Sequence, residues 1–189
     1  GNWRSTLFLA LDPGTYTVTL RVTNPNGQTS TATRSVTVGD RATYFSPADT
    51  FCFANAAGTF QGCPLDTDSN GTCDVEADNC TVTADLDLAL EAGDNCVGAN
   101  DCANANGGGR QRRILFRRGD TFRLSGFAEM NRGASTPGFI EAFGSGARPI
   151  FNLNGAPLEA GDHWTYLDIQ FTNCNTGCVY ADNTDTNDT

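Results

Sequence analysis

Histidine occurs once in the 189 residues, and no two of the eight cysteines stand in a Cys-x-x-Cys pair. Structural zinc sites draw on closely paired thiolates and imidazoles, so both absences argue against zinc and leave disulfides to account for the cysteines. Cations are also scarce. Lys plus Arg number 12 against 22 Asp plus Glu, for a formal net charge of −10 and a pI near 4.3. Nucleic-acid binding requires clustered cations that displace counterions from phosphates, so this balance disfavours a nucleic-acid partner. Long apolar runs are missing as well: nothing approaches the roughly twenty residues of a membrane-spanning helix. The opening Gly1-Asn2-Trp3-Arg4 has no signal-peptide character, so a secreted protein would present mature or internal sequence here.

What is present is cysteine, acid and threonine. Cys52, Cys63, Cys73, Cys80, Cys96 and Cys102 crowd a polar region, while Cys174 and Cys178 read as a separate local pair. Eight cysteines allow about a hundred pairings, so connectivity is not legible, although an oxidising, extracellular setting is. The one basic cluster, Arg110, Arg112, Arg113, Arg117 and Arg118, surrounds Ile114, Leu115 and Phe116 and reads as the solvated flank of a strand.

Near the start, Tyr16, Val18, Leu20 and Val22 alternate with Thr15, Thr17, Thr19, Arg21 and Thr23, a period of two that predicts a strand with one apolar face. Asn24-Pro25-Asn26-Gly27 supplies turn residues, after which Ala32, Val36 and Val38 resume the alternation, so an antiparallel hairpin is expected. The run from Pro13 to Asn24, with Gly27 and Ser35-Val36-Thr37-Val38, resembles the closing strands of a PKD domain, an immunoglobulin-like sandwich of extracellular proteins. The resemblance covers about the first forty residues and lacks the family's Trp-Asp-Phe-Gly-Asp-Gly signature. It implies that residues 1–39 are the C-terminal part of such a sandwich, either truncated at residue 1, the reading preferred because such a sandwich takes about 100 residues, or a degenerate relative.

Residues 40–109 change character: Asp, Asn, Gly, Ala and Cys dominate, and apolar periodicity fades apart from a stretch of undecided state from Val82 to Leu90. A disulfide-rich loop insertion is expected here, since so long a loop needs disulfides or metal to hold it. Gly107-Gly108-Gly109 lacks the Lys-Ser/Thr of a phosphate loop and reads as a flexible connection.

From residue 110 short strands return between glycines, at Ile114–Phe116, Thr121–Leu124, Gly138–Phe143, Pro149–Leu153, Trp164–Thr172 and Cys178–Tyr180. The Ile114–Phe122 segment with its Gly119-Asp120-Thr121 turn, Gly138–Ile150 with Gly144-Ser145-Gly146-Ala147-Arg148-Pro149, and Leu167–Asn173 resemble the opening of right-handed parallel β-helix proteins of the pectate-lyase-like type. Many members are secreted polysaccharide lyases and glycoside hydrolases. The resemblance implies that residues 110–189 are the first rungs of such a helix, with later rungs, and the family's catalytic groove, beyond Thr189. The fold class expected is therefore all-β: a partial immunoglobulin-like sandwich, a disulfide-rich loop, then N-terminal rungs of a β-helix.

The sharpest chemical signal is Asp66-Thr67-Asp68-Ser69-Asn70-Gly71-Thr72-Cys73-Asp74. Oxygen side chains at alternate positions, a glycine at the sixth and a carboxylate at the ninth match the first half of a calcium loop, and calcium takes about six to eight hard oxygen ligands. The predicted ligands are Asp66, Asp68, Asn70, the Thr72 carbonyl and Asp74, with Asp78 or Glu76 completing the shell. Ala77 replaces the glutamate of an EF-hand, and no helix precedes the loop. The cysteine-tied Asp-rich turn is similar instead to a thrombospondin type 3 calcium loop, which implies a structural calcium.

Other candidates carry less. His163 reads as a turn residue before a strand, and Glu141, Glu159, Asp162 and Asp168 are carboxylates whose spacing does not show a facing pair. Asn70, Asn79 and Asn187 begin glycosylation-type triplets. No catalytic residue is named. The sequence thus reads as a non-catalytic part of a secreted or cell-surface multidomain protein that binds or processes extracellular polysaccharide. The alternative is a structural or adhesive stalk or filament that self-associates at the cell surface, and a stand-alone enzyme ranks third.

Overall fold

The computed structural model describes residues 13–74, 79–94, 113–125, 138–159, 164–175 and 177–180. The chain divides into two compact units, Gly1–Tyr44 and Phe45–Thr189, and its secondary structure is mostly β, in keeping with the all-β expectation.

In the first unit β1 (Gly14–Thr23) and β2 (Thr29–Val38) pair antiparallel from Gly14↔Val38 to Thr23↔Thr29. The predicted turn closes them: the Asn24 side-chain oxygen accepts from the backbone N–H groups of Asn26 and Gln28, and Gly27 takes φ +80°. That conformation is open to glycine at no steric cost. Register places Tyr16, Val18, Leu20 and Val22 with Ala32, Val36 and Val38, and also Ser30 and Arg34, on one face, and the threonines of β1, Arg21, Thr31, Thr33, Ser35 and Thr37 on the other. A short helix, α1 (Arg41–Tyr44), follows.

The second unit is built on parallel pairing. A five-stranded sheet has the order β10-β7-β5-β3-β4, formed by β3 (Thr50–Ala54), β4 (Cys80–Val82), β5 (Arg113–Arg117), β7 (Gly138–Phe143) and β10 (Trp164–Tyr166). A second sheet joins β6 (Thr121–Arg123), β8 (Ile150–Asn152) and β11 (Gln170–Thr172), and a third pairs β9 (Leu158–Glu159) with β12 (Val179–Tyr180). Every pairing in these three sheets is parallel. Parallel neighbours need a long return connection, and here the return is through the other sheets: β7, β8 and β9 visit the three in order, and β10, β11 and β12 visit them again.

Two apolar layers follow from this arrangement. Side chains pointing inward between the sheets, among them Phe53, Ile114, Phe116, Phe122, Ile140 and Phe151, are fully buried and form one core. Aromatic rings run from circuit to circuit, with Phe116–Phe151 centroids 4.6 Å apart and Phe151–Phe171 5.7 Å. The second core lies on the outer face of the five-stranded sheet, where Cys52, Ala54, Leu115 and Phe143 meet Phe60, Cys63 and Leu65 from the 55–74 segment.

The loop region expected at 40–109, with its stretch of undecided state from Val82 to Leu90, contains regular elements. Thr50–Ala54 is a central strand, Cys80–Val82 an edge strand, and Leu86–Asp94 a helix, α2. The strand lacks alternation because it is covered on both sides, as parallel strands commonly are. Asp85 caps α2: its carboxylate accepts from the Asp87 N–H, and its own N–H donates to Thr83 Oγ1. Leu86, Ala89 and Leu90, at helical spacing, close the core over Phe53, Phe116 and Phe122. The predicted strand Trp164–Thr172 is in fact two, because Asp168 at φ +59° turns the chain between β10 and β11.

Candidate metal centre

Between β3 and β4 the chain forms a disulfide-pinned loop. Cys63 is bonded to Cys52 of β3, and Cys73 to Cys80 of β4, while Cys174 and Cys178 form the expected local pair. These disulfides are in keeping with an oxidising compartment. Phe60 and Leu65, both buried, hold the loop onto the sheet, with the Phe60 ring parallel to Phe143 at 6.4 Å.

Within this frame the acidic residues gather, with Asp66 buried and Asp68 and Asp74 exposed. Asp66 is buried, and its two carboxylate oxygens accept from the backbone N–H groups of Asn70 and Gly71 at 3.0 Å each. Asp68 accepts from the Asn70 backbone and side-chain amides. One oxygen of Asp74 accepts from Thr67 N–H, Thr67 Oγ1 and Asp68 N–H. The hydroxyl and backbone donors of Thr67 hold the Asp74 carboxyl below its ordinary value, with a smaller contribution from Asp68. Gly71, at φ +87°, is required by space as well as conformation: a Cβ there would lie 2.6 Å from the Gly58 carbonyl oxygen.

Three of the six predicted ligands converge: carboxylate oxygens of Asp66, Asp68 and Asp74 all lie within 4.8 Å of one another. Asn70 is at the site, but its side-chain nitrogen faces Asp68 and its oxygen accepts from Thr72 N–H, so it would offer oxygen to an ion only after its amide turns over. Thr72 takes part here through that N–H. Asp78 and Glu76 lie outside the described residues. An all-oxygen, carboxylate-rich set on a glycine-bearing turn fits a hard cation such as calcium and is a poor match for softer metals.

The described members of the arginine cluster, Arg113, Arg117 and Arg118, are not a free solvated flank. Arg113 pairs with buried Glu141 at 3.4 Å, and Arg117 with buried Asp120 at 2.8 Å. Arg118 and Arg148 both bind the Asp168 carboxylate, Arg148 at 2.6 Å. The hydrogen bond from Arg118 is the main cause that holds the Asp168 carboxyl below its ordinary value, with its charge and Arg148 adding to it and burial opposing. Asp120 also accepts from the Asn55 N–H, so this carboxylate ties the corner after β3 to the corner after β5.

Three of these pairs, Arg113–Glu141, Arg118–Asp168 and Arg148–Asp168, join different circuits, so only a register prediction would have found them, whereas Arg117–Asp120 is a local contact three residues apart. Arg110, Arg112, Asp162, His163, Cys96, Cys102, Gly107–Gly109 and Asn187 lie outside the described residues, as does the side chain of Glu159. Asn79, in a glycosylation-type triplet, spends its amide on the Pro47 and Thr50 carbonyls.

No helix among the described residues is long and apolar enough to cross a membrane. Comparison with family models, curated proteins and solved structures finds no match for this chain.

Proposed function

We propose that the second unit is a capped stretch of a parallel β-helix in an extracellular protein, and that its Cys63–Cys80 loop holds one structural calcium ion. The observation that carries this reading is the convergence of Asp66, Asp68 and Asp74 on one point in a loop pinned at both ends by disulfides. Three carboxylates that close repel one another, and a divalent cation offsets that repulsion. Asp66, Asp68 and Asp74 would hold the ion, joined by Asn70 and backbone carbonyls, and the ion would supply rigidity and no chemistry.

The β-helix part of the reading rests on three parallel sheets visited in the same order by successive circuits. α2 serves as the cap, covering the core beyond β3 and β5, where an uncovered end would invite edge-to-edge association. The first unit, with its threonine face and apolar face, is read as part of an immunoglobulin-like sandwich acting as a spacer.

The role is non-catalytic within these residues. Glu141, Asp120 and Asp168 serve as counter-ions to arginines rather than as a facing acid and base. The resemblance of residues 112–183 to polysaccharide-active β-helix proteins adds a polysaccharide as the ligand of the larger assembly.

Two experiments test this reading. Titration calorimetry on chelator-treated protein is expected to give one calcium per chain, and Asp68→Asn, at an exposed position, to weaken binding at least about tenfold, equivalent to 1.4 kcal/mol. No heat at millimolar calcium would refute the metal site. Incubation with acidic and neutral polysaccharides is expected to give no depolymerisation by residues 1–189, and measurable turnover would refute the non-catalytic reading.

A further inference from the structure

The two disulfides that pin the loop are neighbours. Cys52 and Cys80 are direct Cα partners in the parallel pairing of β3 with β4, and the Sγ atoms of Cys52, Cys63 and Cys80 all lie within 4.8 Å of one another. Their exposures differ sharply. Cys52 is fully buried and Cys63 is 2% exposed, whereas Cys73 and Cys80 are both partly exposed. The Cys73–Cys80 bond is therefore the more accessible of the two to an external thiol.

We infer that these four cysteines form a thiol–disulfide relay, in which Cys73–Cys80 is the entry bond and Cys80 carries the exchange inward to Cys52–Cys63. The co-reactant is a small dithiol. Its two thiols reduce Cys73–Cys80, leaving the dithiol as a cyclic disulfide and Cys73 and Cys80 as thiols. Deprotonated Cys80 then attacks the Sγ of Cys52. The Cys52–Cys80 bond forms, the Cys52–Cys63 bond breaks, and Cys63 leaves with the electron pair and takes up a proton. Exchange proceeds by thiolate attack on a disulfide sulfur, so it depends on access and proximity, and here proximity is supplied by strand register. A bond between Cys52 and Cys80 meets the ordinary Cα separation for a disulfide, about 4.4–6.8 Å, since laterally paired parallel strands lie about 4.8 Å apart.

The product differs in architecture from the starting state. Cys52–Cys80 joins two strands already paired in one sheet, while Cys63 and Cys73 both become free, so the 63–73 segment with Asp66 and Asp68 loses both covalent pins. The relay stands on the cysteine geometry alone and holds whether or not the loop binds calcium.

The test is limited reduction of the whole chain with dithiothreitol, acid quench, alkylation and peptide mapping by mass spectrometry. Alkylated Cys73 and Cys63 are expected together with a Cys52–Cys80 cross-linked peptide. In the Cys73→Ser/Cys80→Ser double variant, opening of Cys52–Cys63 should slow at least about tenfold. Equal opening rates in the two proteins, or opening in the native protein with no Cys52–Cys80 species, would overturn the relay. Should the double variant fail to fold, the native protein decides: Cys73 labelled before Cys63 with the cross-linked peptide present supports the relay, and simultaneous labelling without that peptide refutes it.

Discussion

At the scale of single residues, Asp168 joins circuits that the chain separates widely: its partner Arg118 lies 50 positions away, and Arg148 lies 20. Its carboxyl is held below the ordinary value of 3.8. A carboxylate shifted down on folding contributes stability above its unfolded pKa and loses it as pH falls through the folded pKa. Asp168→Asn is the informative variant because asparagine tolerates the φ of +59° found there. It is expected to lower stability by about 1 kcal/mol at pH 7, a value kept small because the pair is partly exposed. Urea denaturation at several pH values should show that difference closing in acid below the usual carboxylate range. Gly138 gives a steric counterpart. A Cβ at this position would meet the Trp164 ring at 2.6 Å, so Gly138→Ala is expected to cost about 1–3 kcal/mol by overpacking, read as a lowered midpoint of thermal unfolding. At this scale the convergence of Asp66, Asp68 and Asp74 was legible, because the three lie in one short loop. The pairs of Arg113 with Glu141 and of Arg118 and Arg148 with Asp168 were not, because register across circuits decides them.

Among the elements, the β1–β2 hairpin was legible from strict alternation and an Asn-Gly turn, and its register follows from both. β3 was hidden because Thr50–Ala54 packs on an inner core through Phe53 and an outer one through Cys52 and Ala54, which erases the period of two. α2 was hidden because it is short, and its apolar spacing of Leu86, Ala89 and Leu90 also fits a run of undecided state. Its place over the core predicts a large effect from a small change. Leu86→Ala, at a fully buried position, is expected to destabilise the second unit by about 2–5 kcal/mol. Chemical denaturation checks the magnitude, and light scattering should show increased association as the core end opens.

For the whole molecule, two ways of securing a small β domain meet in the second unit. The inner core of aromatic rings holds the circuits together, and an outer core, made by a loop that is polar along most of its sequence, covers one sheet from outside. That loop can cover a sheet because Cys52–Cys63 anchors Phe60 and Leu65 where apolar burial alone would be too slight. The composition of residues 55–74 therefore reads as loop while its structure acts as a second layer, a distinction that cysteine pairing makes and sequence spacing does not show. A calcium ion at Asp66, Asp68 and Asp74 would complete this layer, and ligand binding to the folded state alone raises stability by mass action, by about 2.7 kcal/mol at a hundredfold excess over Kd. Thermal unfolding of the second unit in chelator and in saturating calcium tests the account most directly. A midpoint that rises with calcium, and does not rise in Asp68→Asn, is the predicted result; identical midpoints in chelator and in calcium would contradict it.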